Sequence, residues 1–263
     1  MNSQRLYGNV AEKRYLFLLC FFVNVAFLMG TGGLAFAKKV ENSCVDCHSD
    51  PDFLVTNKKL YNYFQQWTSS THNQEEVTCT DCHGGNQQEA DKKLAHGKDI
   101  DSNVRFANVP DTCGTCHDDI YNGYRKSPHF ENLTKKKDGH QGPNCVTCHG
   151  SLNVAALNVN TVKKTCVQCH NEKTKNNPEI PDKAENLLNQ FLSIHRFYRY
   201  ISLRGEPTDT KSFLTGIDGQ LEDLSTTWHT FDLKNIATKT RTVLDSLSAK
   251  RDEVRKQMKP RQK

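Results

Sequence analysis

The chain has 263 residues, a formal net charge of +5 and 36% hydrophobic residues, many of which lie near its N-terminus. This length allows one large domain or two small ones. The low apolar content of the remaining residues excludes a large core made of side chains alone, because apolar burial must offset the conformational entropy lost on folding.

The N-terminus has the order of a secretory signal peptide. Basic residues precede an apolar run at 15–29, and Ala35-Phe36-Ala37 follows a stretch of small residues. This order predicts cleavage after Ala37, so residues 1–37 are a signal peptide and the mature chain is exported to the periplasm or cell surface, with no membrane span. The alternative is an uncleaved anchor, but the glycines at 30–33 interrupt the run before it spans a bilayer.

The ten cysteines that follow residue 37 form five C-x-x-C-H motifs. An even number of cysteines in an exported chain first suggests disulfides. Here, however, every cysteine belongs to a pair that is followed directly by histidine. The motifs are Cys44-Cys47-His48, Cys79-Cys82-His83, Cys113-Cys116-His117, Cys145-Cys148-His149 and Cys166-Cys169-His170.

C-x-x-C-H is the attachment signature of c-type haem. The two thiols bond to the porphyrin, and the adjacent histidine is the proximal ligand of the iron. A single motif would also fit half of a zinc site or a redox dithiol, but five motifs without an unpaired cysteine favour haem. The sequence therefore predicts five covalently attached haems, which supply the missing core. The first cysteines of successive motifs are 35, 34, 32 and 21 residues apart, so we expect the haems to form a connected chain.

Six histidines outside the motifs are candidates for the distal position of the five irons. Met258 is the one methionine that survives initiation and signal removal, so methionine ligation is nearly excluded. His195 lies on a predicted apolar stripe with Phe191 and Tyr198, which would face the haems. His229 lies beside the stripe of its own helix and is interpreted as the spare. The predicted distal ligands are His72, His96, His129, His140 and His195.

The chain divides into a haem-binding part, 38–180, and a helical extension, 181–263, that packs on the haem layer. Pro181 indicates the start of a first helix, and Gly205-Glu206-Pro207 indicates its end. A second helix is predicted from Asp218 to about Thr230, and a third follows. The predicted fold is mainly α, a loop-rich multihaem core with a helical hairpin or three-helix extension.

The haem-binding part resembles a family of multihaem cytochromes c that includes the tetrahaem electron acceptors of hydroxylamine oxidoreductase. The segments 77–85, 124–129 and 145–150 carry this resemblance. It implies a mainly α-helical exported protein with closely stacked haems, and it places His72 and His129 at positions of distal ligands. Many relatives have C-H-G-S-H at the motif of His149, whereas this chain has Ser151-Leu152, so the resemblance does not assign a distal ligand there.

These features predict an electron carrier, not an enzyme, that connects a respiratory donor with a reductase or a cell-surface conduit. The alternative is an oxidoreductase that acts on a small nitrogen or sulfur compound at one five-coordinate haem, but no C-x-x-C-K variant occurs. A third possibility is a fixed subunit of a larger cytochrome complex. The expected partners are redox proteins. We expect no nucleic acid partner, because the propionates of five haems would make the mature protein net negative at about −7 when reduced.

Overall fold

The computed structural model describes residues 42–100, 102–135, 142–150, 152 and 159–258. These residues lie in one compact unit, Asn42–Lys263. The predicted signal peptide at 1–37 and the basic residues at 259–263 are outside the described residues. No helix in the described ranges is long and apolar enough to cross a membrane.

The described residues are mainly helical and contain no strand, which confirms the predicted fold class. The helices are α1 (Ser43–His48), α2 (Asp52–Thr56), α3 (Lys58–Thr68), α4 (Thr71–Gln74), α5 (Cys79–His83), α6 (Lys92–His96), α7 (Val109–Gly114), α8 (Asp118–Tyr124), α9 (Pro128–Thr134), α10 (Cys145–His149), α11 (Val159–Cys169), α12 (Ile180–Arg204), α13 (Pro207–Trp228) and α14 (Leu233–Met258).

The haem-binding part consists of the short helices α1–α11 and the loops between them. Its buried hydrophobic side chains, among the described residues, are Val109, Tyr124 and Leu133. Three such side chains are far fewer than a domain of this length requires for a core of its own. This scarcity agrees with the expectation from composition that another group completes the core.

The C-terminal part is a bundle of three long helices, α12–α14. Proline begins two of them, with Pro181 in the first turn of α12 and Pro207 in the first turn of α13, where a missing N–H costs nothing. The core of the bundle is a continuous cluster from all three helices: Ile194, Ile201, Ile217, Leu224, Val243, Leu247 and Val254.

Two details of the predicted bundle are wrong. α13 begins at Pro207 and not at Asp218, so the predicted loop between the first two helices is only Gly205-Glu206. The buried face of α12 runs through Ile194 and Ile201, whereas the predicted stripe ran through His195. His195 follows Ile194 directly and is exposed, because adjacent helical residues point in directions about 100° apart.

Two pairs of helices pack the bundle against the haem-binding part. α11 packs on α12, and Lys163 of α11 forms ion pairs with Asp182 at 2.8 Å and Glu185 at 2.6 Å. α8 packs on α13 where Gly123 faces Thr226. These contacts hold the end of α13 beside the motif helices. The predicted boundary at 180–181 coincides with the start of α12, but the division into two domains stays a prediction.

Candidate metal centres

Each of the five C-x-x-C-H motifs is placed by a helix. α1, α5 and α10 contain complete motifs, while α7 contains Cys113 and α11 ends at Cys169. Helical residues three and four positions apart lie on one face. In a complete motif the two thiols and the imidazole therefore project from one side of a single turn, as attachment to one porphyrin requires.

Side-chain caps determine where the three complete motif helices begin. Asn42 Oδ1 accepts hydrogen bonds from two backbone N–H groups at the start of α1. At α5, Asp81 Oδ2 accepts from the N–H of Thr78 at 2.6 Å. At α10, Asn144 and Thr147 cap each other reciprocally. Each cap satisfies N–H groups that the first turn leaves without a helical partner, so the motif is helical from its first cysteine.

Glycines end two of these helices directly after the motif histidine. Gly84 has φ +75° and Gly150 has φ +77°, a region that is costly for residues with a Cβ. Gly85, the next residue, allows a close approach of two chain segments, since a Cβ there would lie 2.5 Å from the carbonyl oxygen of Ala95. This close approach brings the end of α6, with His96, against the chain that leaves the second motif.

The main feature of the site is a set of four histidine pairs, each formed by one motif histidine and one histidine from outside the motifs. Their ring centres are separated by similar distances. The pairs are His48 with His96 at 6.1 Å, His117 with His72 at 6.4 Å, His170 with His129 at 6.2 Å and His149 with His229 at 6.0 Å.

These separations fit two imidazoles on opposite sides of one iron. A metal–imidazole bond is about 2 Å long and the nitrogen lies about 1 Å from the ring centre, so two trans imidazoles have centres about 6 Å apart. A structural zinc ion takes four protein ligands, whereas a haem iron receives four from its porphyrin and needs only two more. Pairs of histidines, each beside two cysteines, therefore fit covalently attached haem.

Backbone carbonyls fix the tautomer of three histidines in these pairs. The Nδ1 atoms of His96, His170 and His229 lie 2.7, 2.7 and 2.8 Å from the carbonyl oxygens of Lys92, Asn176 and Ser225, in that order. A carbonyl oxygen only accepts, so Nδ1 must carry the proton in each case. The lone pair of Nε2 is then free to bind a metal, and the ring orientation is held by its other nitrogen.

Burial keeps several of these imidazoles neutral. Desolvation, with a smaller repulsion from His170, lowers the pKa of His129 to about 4. Desolvation also lowers the pKa of His149 and of His229, and that of His48 with smaller contributions from His96 and His83. A metal binds only the unprotonated nitrogen, so these side chains are in the form that coordinates iron at neutral pH.

None of the ten motif cysteines is in a disulfide, and neighbouring motifs lie close together in chain order. Cys44 lies close to Cys79, and Cys113 lies close to Cys145. Between these two contacts, burial raises the pKa of Cys82, and Cys113 and Cys116 lie near enough to raise it further. Burial is the main cause that raises the pKa of Cys148 to about 11, and the nearby Cys166 and Cys169 raise it further. The five motifs thus form a continuous series from first to last.

The structure brings together three of the five predicted distal histidines with motif histidines, namely His72, His96 and His129. His195 is exposed, and its ring packs against that of Phe191 at 4.6 Å. His140 is outside the described residues. His83 ends α5 and lies near His48.

His229 is the histidine that the sequence interpretation set aside and that the structure places beside a motif. It follows the last residue of α13, and its Nδ1 donates to the carbonyl four residues before it. His96 has the same relationship to Lys92 at the end of α6. A histidine at a helix C-terminus is therefore a sequence signal that favours His229, because that position supplies the orienting carbonyl.

Comparison with known proteins matches part of the chain to a family model. The model of the cytochrome c552 family matches residues 60–127, which include the second and third motifs together with His72 and His96. The match supports a cytochrome c family, and with it electron transfer and covalently bound haem c. No curated protein and no solved structure matches the chain significantly.

Proposed function

We propose that this chain is an exported five-haem cytochrome c that relays electrons, a pentahaem relative of the tetrahaem electron acceptors of hydroxylamine oxidoreductase. The observation that carries the proposal is the set of four histidine pairs with ring centres 6.0 to 6.4 Å apart. Each pair joins a motif histidine to a histidine that is remote in sequence or belongs to another helix. Four independent pairs at the spacing of two axial ligands support haem iron between the rings.

The proposal assigns the axial ligands pair by pair. His96, His72, His129 and His229 are the distal ligands opposite His48, His117, His170 and His149. His229 takes the place that the sequence analysis gave to His195, because His229 faces a motif histidine and His195 is exposed. His140 stays a distal ligand predicted from the sequence, and His195 is the spare.

A bis-histidine set favours a carrier over an enzyme. An iron with two histidine ligands has no open position for a substrate, whereas catalysis on a small molecule at haem requires one. When bound, each haem exchanges one electron at its iron. The contacts between Cys44 and Cys79 and between Cys113 and Cys145 keep neighbouring attachment sites close, so the polypeptide sets a path that runs from the first motif to the fifth.

Export and partners belong to the same proposal. The predicted signal peptide at 1–37 would deliver the chain to the compartment where c-type haem is attached and where disulfide-rich or haem-bearing proteins act. The partners are a respiratory electron donor and a reductase or conduit. A fixed place in a larger cytochrome complex would change these partners but not the chemistry.

Two measurements on the mature protein test the proposal. Mass spectrometry should give the polypeptide from Lys38 plus five haems, and a low-temperature EPR spectrum of the oxidised protein should contain only low-spin ferric signals. A mass with four haems or fewer overturns the haem count. A stoichiometric high-spin signal overturns the complete bis-histidine assignment and moves the small-molecule oxidoreductase to first place.

A further inference from the structure

One nitrogen in the four histidine pairs differs from its counterparts. The Nδ1 of His129 is buried and has no hydrogen-bond partner in the described part of the chain. The corresponding atoms of His96 and His229 each donate to a carbonyl oxygen four residues before them. These are three of the four proposed distal ligands. The fourth, His72, also lies in the first turn of its helix, but of the four only His129 has an Nδ1 that is both buried and without a partner among the described residues.

The position of His129 in its helix explains the missing partner. α9 begins at Pro128 and is capped by Ser127, whose hydroxyl accepts from the N–H of Phe130 at 3.1 Å. His129 is therefore in the first turn and has no helical turn before it. His96 and His229 lie at helix C-termini, where the carbonyl of the preceding turn is available.

Phe231 covers the ring that lacks this partner. Its ring centre lies 4.2 Å from that of His129, with the planes at 64°. The backbone of Phe231 has φ +56°, a left-handed conformation that is a genuine outlier for a bulky residue. The N–H of Phe231 donates to the carbonyl of Trp228 at 3.2 Å, which closes the turn after α13. A bulky apolar side chain thus occupies a strained position, and strain of this kind is concentrated at functional positions.

A hydrogen bond donated by the Nδ1–H changes how basic the imidazole is as a ligand of the iron. An imidazole whose N–H is donated to a carbonyl is a more basic ligand, and a more basic ligand stabilises the ferric state relative to the ferrous state. An N–H that is kept dry and without an acceptor has the opposite effect, so the reduction potential of its haem is higher.

We propose that His129 binds its iron through Nε2, and that Phe231 is a positioning residue that keeps the remaining Nδ1–H dry and without an acceptor, which raises the reduction potential of the haem attached beside His170. This inference rests on the proposed function, since it requires His129 and His170 to be the two axial ligands of that haem. The turn at 229–232 then serves two haems, because it also carries His229.

The substitution Phe231→Asn tests the inference in the full holoprotein. Asparagine tolerates a positive φ better than phenylalanine does, so the turn keeps its conformation. Its amide oxygen gives the N–H an acceptor. Spectroelectrochemical titration should show one of the five waves moved to lower potential, by roughly a tenfold change in the oxidised-to-reduced ratio, which is about 59 mV for one electron.

Two control variants separate polarity from packing. Phe231→Leu keeps an apolar cover without an acceptor, so all five waves should stay in place. Phe191→Asn makes the same chemical change beside His195, whose ring lies 4.6 Å away, and should also leave the waves in place. Leucine shifting the wave as far as asparagine does would overturn the inference, because loss of packing would then be the cause.

His129→Ala identifies the wave that must move. This variant removes one axial ligand, so one haem becomes high-spin. The reduction wave of that haem no longer has the potential of a bis-histidine haem, which identifies it among the five. The inference holds when that wave is the one lowered by Phe231→Asn, and it is wrong when a different wave moves or none does. A protein with fewer than five haems, or one whose EPR spectrum is unaffected by His129→Ala, contradicts the proposed function itself, so the two failures are distinguishable.

Discussion

Gly123 lies so close to Thr226 that a Cβ built on Gly123 would be 2.5 Å from the carbonyl oxygen of Thr226 and 3.2 Å from its Cγ2. Gly123 is in α8, near the third motif, and Thr226 is in the last turn of α13, three residues before His229. The missing side chain therefore lets the bundle approach the haem-binding part closely enough for His229 to face His149.

The substitution Gly123→Ala should separate α8 from α13. The nearest obstacle is a backbone atom, which cannot rotate away, so the added methyl group must push the two helices apart. Overpacking of this kind destabilises the fold by about 1–3 kcal/mol. The better helix propensity of alanine offsets up to about 1 kcal/mol of that loss. We expect a lower midpoint in urea denaturation followed by far-UV circular dichroism, together with a partial high-spin signal from the haem of His149.

Gly219→Ala is the matched control. Gly219 lies within α13, is exposed, and a Cβ there would meet nothing within 4 Å. The same change should therefore raise the free energy of unfolding by about 0.5–1 kcal/mol through helix propensity. If the two substitutions changed the free energy of unfolding equally, Gly123 would not be the residue that limits how closely α8 approaches α13.

Replacing His229 tests the ligand assignment directly. His229→Ala should convert one of five low-spin haems to high-spin, and that haem should bind carbon monoxide when reduced, because an iron with one axial histidine has an open position. Optical spectra with and without carbon monoxide measure both changes.

His195→Ala is the control for His229→Ala, since His195 is an exposed histidine of the same bundle. Its spectra should match those of the unmodified protein. The opposite result, with a high-spin haem in His195→Ala and none in His229→Ala, would restore the assignment made from the sequence and refute the one made from the structure.

The reduction potentials should be low and widely spread. Methionine–histidine ligation raises the potential of a haem, and beyond the predicted signal peptide the chain has only Met258, which is 49% exposed at the end of α14. The close motifs also make each added electron repel the next. A redox titration should therefore show several waves below the range of single-haem methionine–histidine cytochromes, and Met258→Leu should leave all of them unchanged. One narrow wave at high potential would contradict this expectation.

The sequence revealed most where the chemistry is local. Each haem attachment needs two cysteines and a histidine within five residues, so the motifs can be found without a structure. Pro181 and Gly205-Glu206-Pro207 placed the ends of α12 correctly, because the backbone restrictions of proline and glycine act on their immediate neighbours.

The pairing of distal histidines could not be obtained in this way. His149 and His229 are remote in sequence, and they meet only because α13 packs on α8 at Gly123. The error at His195 has a related cause. α12 packs on α11 as well as on α14, so it has apolar residues on adjacent faces, and helical periodicity alone chose the face of Phe191 over that of Ile194.

The last prediction concerns which part of the chain folds without haem. The continuous core of buried residues lies entirely in α12–α14, and five of its seven members are Ile or Leu. Arg251 of α14 adds a contact over the ring of Phe197 in α12, with its guanidinium carbon 4.2 Å from the ring centre. The bundle thus has the packed interior that an independent domain requires, and the described residues of the haem-binding part lack one.

A fragment of residues 178–258 should therefore be helical and melt cooperatively without any haem, whereas residues 42–175, produced where haem is not attached, should lack a cooperative transition. Far-UV circular dichroism during heating measures both. The double substitution Ile194→Ala and Leu247→Ala is the control for the fragment, because each truncation of a buried side chain costs about 2–5 kcal/mol and should abolish its transition. If the bundle melts only when haem is attached to the intact chain, the haem-binding part and the extension are one folding unit, and the predicted division at residues 180–181 is wrong.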